Sequence, residues 1–111
     1  MQTISTEELR SKMQRNEKGI LVNTLSQDDF QKAHIPNSMN IPQQQDDFVS
    51  QVEQAAGSKE LPVIVYCASE DCGSSEQAAQ KLEEAGFSNV YDYEGGSKSW
   101  SEAGEKLVAG A

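Results

Sequence analysis

Short apolar runs along the chain alternate with longer, mostly polar stretches that carry apolar residues on one face. The strongest run is Val-Ile-Val-Tyr at residues 63–66, which follows a proline. A β-branched run of this kind indicates a strand buried on both faces of a parallel sheet. Four weaker strand signals occur at residues 4–5, 20–22, 38–42 and 89–93. The pattern therefore predicts five strands.

Helical periodicity fills the stretches between these strands. Helices are predicted from Thr6, from Ser26, over residues 46–56, from Ser74 and over residues 97–103. Ser74 and Gln77 have the spacing of a capping box, which predicts that the Ser74 side chain caps its helix. Gly57 and Gly86 are placed to end two of these helices.

Strands that alternate with helices predict an α/β fold with a five-stranded, mostly parallel sheet and helices on both faces. The functional residues of such folds lie in loops at the carboxyl ends of the strands. A chain of 111 residues can bury one core without disulfides or metals. We therefore expect a single domain over residues 1–111.

Cys67 directly follows the strongest strand, and a loop over residues 68–73 leads from it into the next helix. Backbone N–H groups of a curled loop, together with the helix dipole, form a positive concavity. A thiolate there is stabilised, so its pKa falls and it becomes a nucleophile. The alternative is a small buried residue without chemistry. The position at a strand's carboxyl end favours a functional cysteine.

Charge and composition narrow the classes of partner. The formal net charge of −9 argues against nucleic acid and anionic membranes, which reward clustered Lys and Arg. No apolar run reaches the length of a membrane span, and no signal peptide is visible, so a cytoplasmic location is expected. Two cysteines and one histidine make a poor zinc set, so we expect no metal and no cofactor.

Three segments resemble the motifs of single-domain rhodanese-like proteins. They are Ala-His-Ile-Pro-Asn-Ser-Met-Asn-Ile-Pro at 33–42, the strand ending in Cys67, and Glu-Gly-Gly at 94–96 followed by Trp100. The resemblance covers nearly all of the chain and implies a sulfurtransferase or persulfide carrier. Cys67 would take the outer sulfur of a thiosulfate-like donor or a protein persulfide, and pass it to a thiol or cyanide-like acceptor. Covalent transfer in two half-reactions implies ping-pong kinetics.

The chain departs from the family pattern in its charges. The family's loop carries Arg or Lys, whereas this longer loop contributes Glu70 and Asp71, and Asn-Thr-Leu at 23–25 replaces the family's Asp-x-Arg. Carboxylates oppose thiolate formation and repel thiosulfate, so the sign of the shift in the cysteine pKa stays open and thiosulfate activity should be weak. Rhodanese-like phosphatases and arsenate reductases also have longer loops, but Gly73 and Ser74 stand where their arginine would clamp an oxyanion.

The predicted site consists of Cys67 as catalytic residue and the loop around it, formed by Ala68, Ser69, Glu70, Asp71, Cys72, Gly73, Ser74 and Ser75. Cys72 is a candidate resolving thiol that would form a disulfide with Cys67, and the alternative is that it only packs within the loop. Ser75 is a candidate for steadying the Cys67 sulfur.

Structural support near the site is expected from Asn23, His34, Gly95 and Gly96. By its resemblance to the family's histidine, His34 is expected to be a hydrogen-bonded support rather than a catalytic base. Gly95 and Gly96 are expected where the backbone must approach another segment closely. The missing Arg and Lys also motivate a second hypothesis, a non-catalytic binding or redox-sensing module that uses the Cys67 and Cys72 pair.

Overall fold

The computed structural model describes residues 2–15, 17–69 and 71–110, and strands and helices alternate along them. The strands are β1 (Gln2–Thr3), β2 (Ile20–Asn23), β3 (Met39–Asn40), β4 (Val63–Tyr66) and β5 (Val90–Tyr93). The helices are α1 (Thr6–Gln14), α2 (Gln27–Lys32), α3 (Phe48–Ala56), α4 (Ser74–Glu84) and α5 (Gly96–Glu102). Within these ranges, no helix has the length and apolar character needed to cross a bilayer.

The five strands form one sheet in the order β1-β5-β4-β2-β3, and every pairing between them is parallel. The strongest sequence signal, β4, lies at the centre between β2 and β5. Its last residue, Tyr66, is level with Asn23 of β2 and Tyr93 of β5. The carboxyl ends of the three central strands therefore meet at one edge of the sheet, and the predicted α/β class is confirmed.

Alternate residues of β4 point to opposite faces of the sheet, as a pleated strand requires. Val63 and Val65 join a core with Phe48 and Val52 of α3 and with Ala78, Ala79 and Leu82 of α4. Ile64 and Tyr66 join a second core with Leu9 of α1, Tyr93 of β5 and Trp100 of α5. Helices therefore cover both faces, which explains why β4 is apolar throughout.

Some element boundaries differ from the predicted ones. The first strand is Gln2–Thr3 rather than 4–5, although the Ile4 N–H still donates to the Asp92 carbonyl at 3.3 Å. The third strand shortens to Met39–Asn40, and α3 begins at Phe48 instead of residue 46. Propensity and periodicity do not fix where pairing or helical hydrogen bonding starts, so these shifts lie at the ends of elements.

The predicted capping box at Ser74 and Gln77 is wrong. Gly73 precedes α4 in the left-handed region, with φ +75°, and no side chain caps the helix. Ser74 is already helical, and its hydroxyl lies 3.1 Å from that of Thr24. The tight turn out of the loop needs the conformational freedom of glycine at residue 73, which moves the serine one position into the helix.

Candidate active site

The sulfur of Cys67 is enclosed between the loop and the first turn of α4. Cys67 follows β4 directly and is only 1% exposed. Its Sγ lies 3.5 Å from the Ser69 carbonyl oxygen and 3.8 Å from the Ser75 hydroxyl. The backbone N–H of Ser75 also lies close enough to the sulfur to lower the pKa of the thiol. The structure thus brings the predicted cysteine and its predicted serine neighbour into contact.

Opposing influences act on the pKa of the Cys67 thiol, and their sum raises it above its ordinary value. Burial is the largest cause, because it penalises the charged thiolate. Cys72 raises the pKa further, by hydrogen bonding and by electrostatic repulsion. The N–H and hydroxyl of Ser75 lower it. The backbone at the start of the helix does lower the pKa of Cys67, as the sequence predicts, but the influences that raise this pKa are larger. Burial and a second thiol dominate, and Asp71 is not among the causes.

Cys72 lies beside Cys67 rather than in the packing of the protein interior. Both thiols are free, with Cys67 buried and Cys72 exposed. The Cys72 side chain is close enough to the Cys67 thiol to raise its pKa. The Cys72 N–H donates to the Ser69 carbonyl at 3.1 Å, which curls the loop. Ala68 and Asp71 are exposed, and Glu70 lies outside the described residues. An exposed thiol therefore stands next to a buried one.

The first turn of α5 is hydrogen-bonded to the backbone at the beginning of the loop. The N–H of Ser97 donates to the Cys67 carbonyl at 3.0 Å, and the N–H of Lys98 donates to the Ala68 carbonyl at 2.9 Å. Gly96 has φ +62°, and a Cβ there would collide with the Cys67 carbonyl oxygen. A Cβ at Gly95 would come within 2.5 Å of the Ser99 hydroxyl. Gly96 thus lets the helix approach the backbone that carries the sulfur, whereas Gly95 leaves room for the Ser99 side chain of the same helix.

Thr24 connects three elements at the edge of the sheet that carries the loop. It is buried, and its hydroxyl donates to the Tyr66 carbonyl at 3.1 Å and lies equally far from the Ser74 hydroxyl. Its neighbour Asn23 is fully buried and accepts the Leu25 N–H at 2.9 Å. Thr24 was not among the predicted site residues, although the sequence places it at the same edge of the sheet as Cys67. The available signal was its position directly after β2, because functional residues follow the carboxyl ends of parallel strands and Cys67 directly follows β4.

His34 makes contacts that stabilise the segment between α2 and β3. Its Nδ1 lies 2.8 Å from the Phe30 carbonyl oxygen, and its ring stacks on the Phe30 ring with centroids 3.7 Å apart. Its backbone pairs with that of Val108. None of these contacts involves Cys67.

Asp92 is a buried acid beside the site that sequence reasoning missed. It is 1% exposed on β5, and its carboxyl lies near the side chain of Ser75. Burial raises the pKa of Asp92, Ser75 lowers it, and the nearby carboxylates Glu94 and Glu76 raise it. The signal was an acidic residue at an inward position of a buried strand, where burying a charge is costly.

The part of the chain that the structure describes holds no group of three or more His, Cys, Asp or Glu side chains arranged for a metal ion.

Structural comparison places this fold among known proteins. A thiosulfate sulfurtransferase from Pseudomonas aeruginosa superimposes with a TM-score of 0.85 at 23% identity, covering 100% of this chain and 21% of that one. The BH2092 protein from Bacillus halodurans superimposes with a TM-score of 0.83 at 23% identity, covering 97% and 77%. At such identity the likeness concerns the fold alone.

Sequence comparison identifies the family. Thiosulfate sulfurtransferase GlpE of Coxiella burnetii is 32% identical over 81 residues, which are 73% of this chain and 70% of that protein. YqhL of Bacillus subtilis is 29% identical over 102 residues, which are 90% and 72%. The model of the rhodanese-like domain matches residues 5–103. The chain therefore belongs to the rhodanese-like domain family.

Proposed function

We propose that this protein is a sulfurtransferase or persulfide carrier that works as a single domain and uses Cys67 as its nucleophile. The observation that carries the proposal is the placement of the Cys67 sulfur at the end of the central strand, in contact with the Ser75 N–H and hydroxyl. Hydrogen bonds to sulfur stabilise a thiolate, and they stabilise the more acidic persulfide equally well. The sulfurtransferase named among the relatives supports the same chemistry.

Two displacements would complete a cycle. The Cys67 thiolate attacks the outer sulfur of a donor, and with thiosulfate the S–S bond breaks and sulfite leaves with the bonding electrons. The enzyme then holds a Cys67 persulfide anion. An acceptor thiolate attacks its outer sulfur, which restores the Cys67 thiolate and leaves the acceptor as a persulfide; cyanide would leave as thiocyanate. No external oxidant or reductant is consumed.

The donor best suited to this site is a protein persulfide rather than free thiosulfate. Residues 67–75 contain no Arg or Lys, whereas Asp71 and Glu70 add negative charge. The raised pKa of Cys67 leaves little thiolate at neutral pH, so activity on thiosulfate should be weak. A protein donor can bring its own positive surface. A cytoplasmic location, also proposed, would keep both thiols reduced.

Intact-mass measurement after exposure to persulfide donors tests the proposal. The protein should gain the mass of one sulfur atom, and a thiol acceptor should remove it. Cys67→Ser should abolish the gain, while Cys72→Ser, the matched loop variant, should retain it. A protein that acquires no sulfur at Cys67 from any donor, small or protein-bound, would sink the proposal.

A second candidate function is redox sensing by the two thiols, which the proximity of Cys72 to Cys67 in one loop favours. Hydrogen peroxide would convert one thiol to a sulfenic acid and release water. The other thiol would then displace a second water to form the disulfide. The bond would block sulfur transfer until a dithiol reduces it.

The mass of the peroxide-treated protein distinguishes redox sensing from a module that only binds a partner. Peroxide should remove two hydrogens from the mass without adding oxygen, and a dithiol reductant should restore them. Oxygen addition at one thiol, with no disulfide, would contradict redox sensing by the pair. A Cys67→Ser protein that keeps every cellular effect would instead favour a non-catalytic binding module.

A further inference from the structure

Two depressions on the face of the sheet that α1 covers join to form one groove. The first has a volume of about 340 Å³ and lies between α1 and the amino ends of β2 and β4. The second has a volume of about 430 Å³ and lies between α1 and the segment that follows α5. Met13 and Asn37 belong to the walls of both, so the two depressions meet at these residues. Each is large enough to hold several side chains of a ligand.

The floor of the groove is apolar and partly exposed to solvent. Leu9 and Met13 line it from α1, the first fully buried and the second partly, and Met39 lines it from β3. Met39 is 36% exposed and Val108 is 40% exposed, and they are the two exposed large apolar side chains among the described residues. Flexible methionine side chains are typical of surfaces that adapt to a partner.

The cations of the chain are concentrated around this groove. Four of its nine Lys and Arg residues line the two depressions, namely Arg10, Lys12, Lys18 and Lys106. The chain has 18 Asp and Glu residues, but within its described part only Glu17 and Glu105 line the groove. The walls therefore carry a net positive charge in a molecule whose formal charge is −9.

Both acids of the groove are already paired with cations. Glu17 contacts the Lys12 ammonium at 3.4 Å and the Arg15 guanidinium at 2.6 Å. Glu105 contacts the Arg10 guanidinium at 3.0 Å. Neither acid is therefore available to neutralise the remaining lysines.

An unpaired lysine stands at each end of the groove. Lys18 lines the depression beside β2, and Lys106 lines the one beside α5. Both are exposed, and neither has an ion-pair partner within residues 2–15, 17–69 and 71–110. Acids elsewhere on the surface are screened beyond roughly 8–10 Å at moderate salt, so a group in contact with the groove meets mainly its cations.

We propose that this groove docks an acidic segment of a partner protein. An apolar side chain of the segment sits on Met13 and Met39, and carboxylates on either side of it reach Lys18 and Lys106. A ligand with a single carboxylate, such as a fatty acid, satisfies only one end. The groove includes Pro62 just before β4, whereas Cys67 follows β4 roughly 15 Å away at the usual rise of a strand. A docked partner thus leaves the sulfur free, and the inference does not depend on sulfur transfer.

Fluorescence anisotropy with labelled synthetic peptides tests the inference. The probes carry two Leu residues with two Glu residues on each side, separated from the Leu pair by zero to four Ala residues. At least one probe should bind with a Kd below about 1 mM at low salt, and replacing its Glu residues by Gln should weaken binding at least about tenfold. The affinity should fall as KCl is added. Absence of binding by every probe, or equal binding by the Gln version, would overturn the inference.

Matched variants locate the binding site. Lys18→Glu and Lys106→Glu should each weaken binding at least about fivefold, whereas Lys32→Glu, the same charge change on exposed α2, should have an effect below about twofold.

Met39→Ser should weaken binding by a similar factor, whereas Val108→Ser, at the other exposed apolar residue, should not. Equal effects of groove and control variants would overturn the inference, as would dodecanoate that binds the groove as tightly as the best peptide. Either result leaves sulfur transfer by Cys67 untouched, because its own test is the mass gain.

Discussion

Two neighbours of the Cys67 sulfur act in opposite directions on the thiol pKa. Burial raises that pKa most, Cys72 raises it further, and Ser75 lowers it. The exposed carboxylate of Asp71 lies in the same loop but is not among these causes. A buried thiol with a second thiol nearby therefore reacts slowly at neutral pH and faster as the pH rises.

We expect Cys72→Ser to lower the pKa of Cys67 and Asp71→Asn to change it much less. The first variant removes a cause that raises the pKa, and the second removes only a solvent-screened charge. The measurement is the alkylation rate of Cys67 against pH, with the modified peptide read by mass. A larger shift from Asp71→Asn would restore the view that the acidic loop controls this thiol.

At the scale of the residue, the sequence predicts which side chains form the site but not the direction in which the pKa of the reactive thiol shifts. Cys67 and Ser75 could be identified because strand ends and helix starts follow from local patterns. The sign of the Cys67 pKa shift depends on how completely the folded chain buries the sulfur, and burial is a property of tertiary packing. Asp92 was missed for the same reason, since a lone acid in a strand pattern does not show which helix covers it.

The first turn of α5 and the loop after β4 act as one unit. Two backbone hydrogen bonds, from Ser97 and Lys98, join them, and Gly96 lies against the carbonyl of Cys67. Any side chain at residue 96 would have to push the loop away from the helix. The position of the sulfur thus depends on an element that contributes no reactive group.

We expect Gly96→Ala to destabilise the protein more than Gly57→Ala, which ends α3 with φ +87° and has open space around it. Alanine in the left-handed region costs about 1–2 kcal/mol at either site. At residue 96 the collision with the loop backbone adds to that cost, and the displaced loop should expose Cys67. Urea unfolding and the alkylation rate of Cys67 give the two readouts. Equal destabilisation by both variants, with unchanged alkylation, would show that the loop does not rest on Gly96.

Elements were predictable where a local signal determines them. The apolar run of β4 and the glycines after α3 and α4 specify their structures almost alone, and these predictions hold. The cap of α4 failed because Gly73 makes the turn into the helix and leaves Ser74 inside it, where the Ser74 hydroxyl meets that of Thr24, fifty residues away. A capping pattern cannot report a competing partner that only the fold supplies.

The whole molecule carries a formal charge of −9 on 111 residues. Its field extends over roughly 10 Å at 0.1 M salt and about three times farther at 0.01 M. An anionic donor is therefore repelled during its approach, whereas a cationic donor is attracted. Composition alone gives this feature, which is why partner charge was predictable although the identity of the partner was not.

Salt should consequently change the loading of Cys67 in opposite directions for donors of opposite charge. The rate of persulfide formation with thiosulfate should rise with ionic strength, because screening weakens the repulsion between the anion and the protein. The rate with a persulfide carried on a lysine-rich peptide of net positive charge should fall under the same conditions, and a persulfide peptide of zero net charge should show no trend. Stopped samples read by intact mass at several KCl concentrations give the three slopes. Because Cys67 and its neighbours are common to all three reactions, differences among the slopes report the field of the molecule and not the reactivity of the thiol. A falling rate with thiosulfate would mean that a local positive site, and not the net charge, guides the donor.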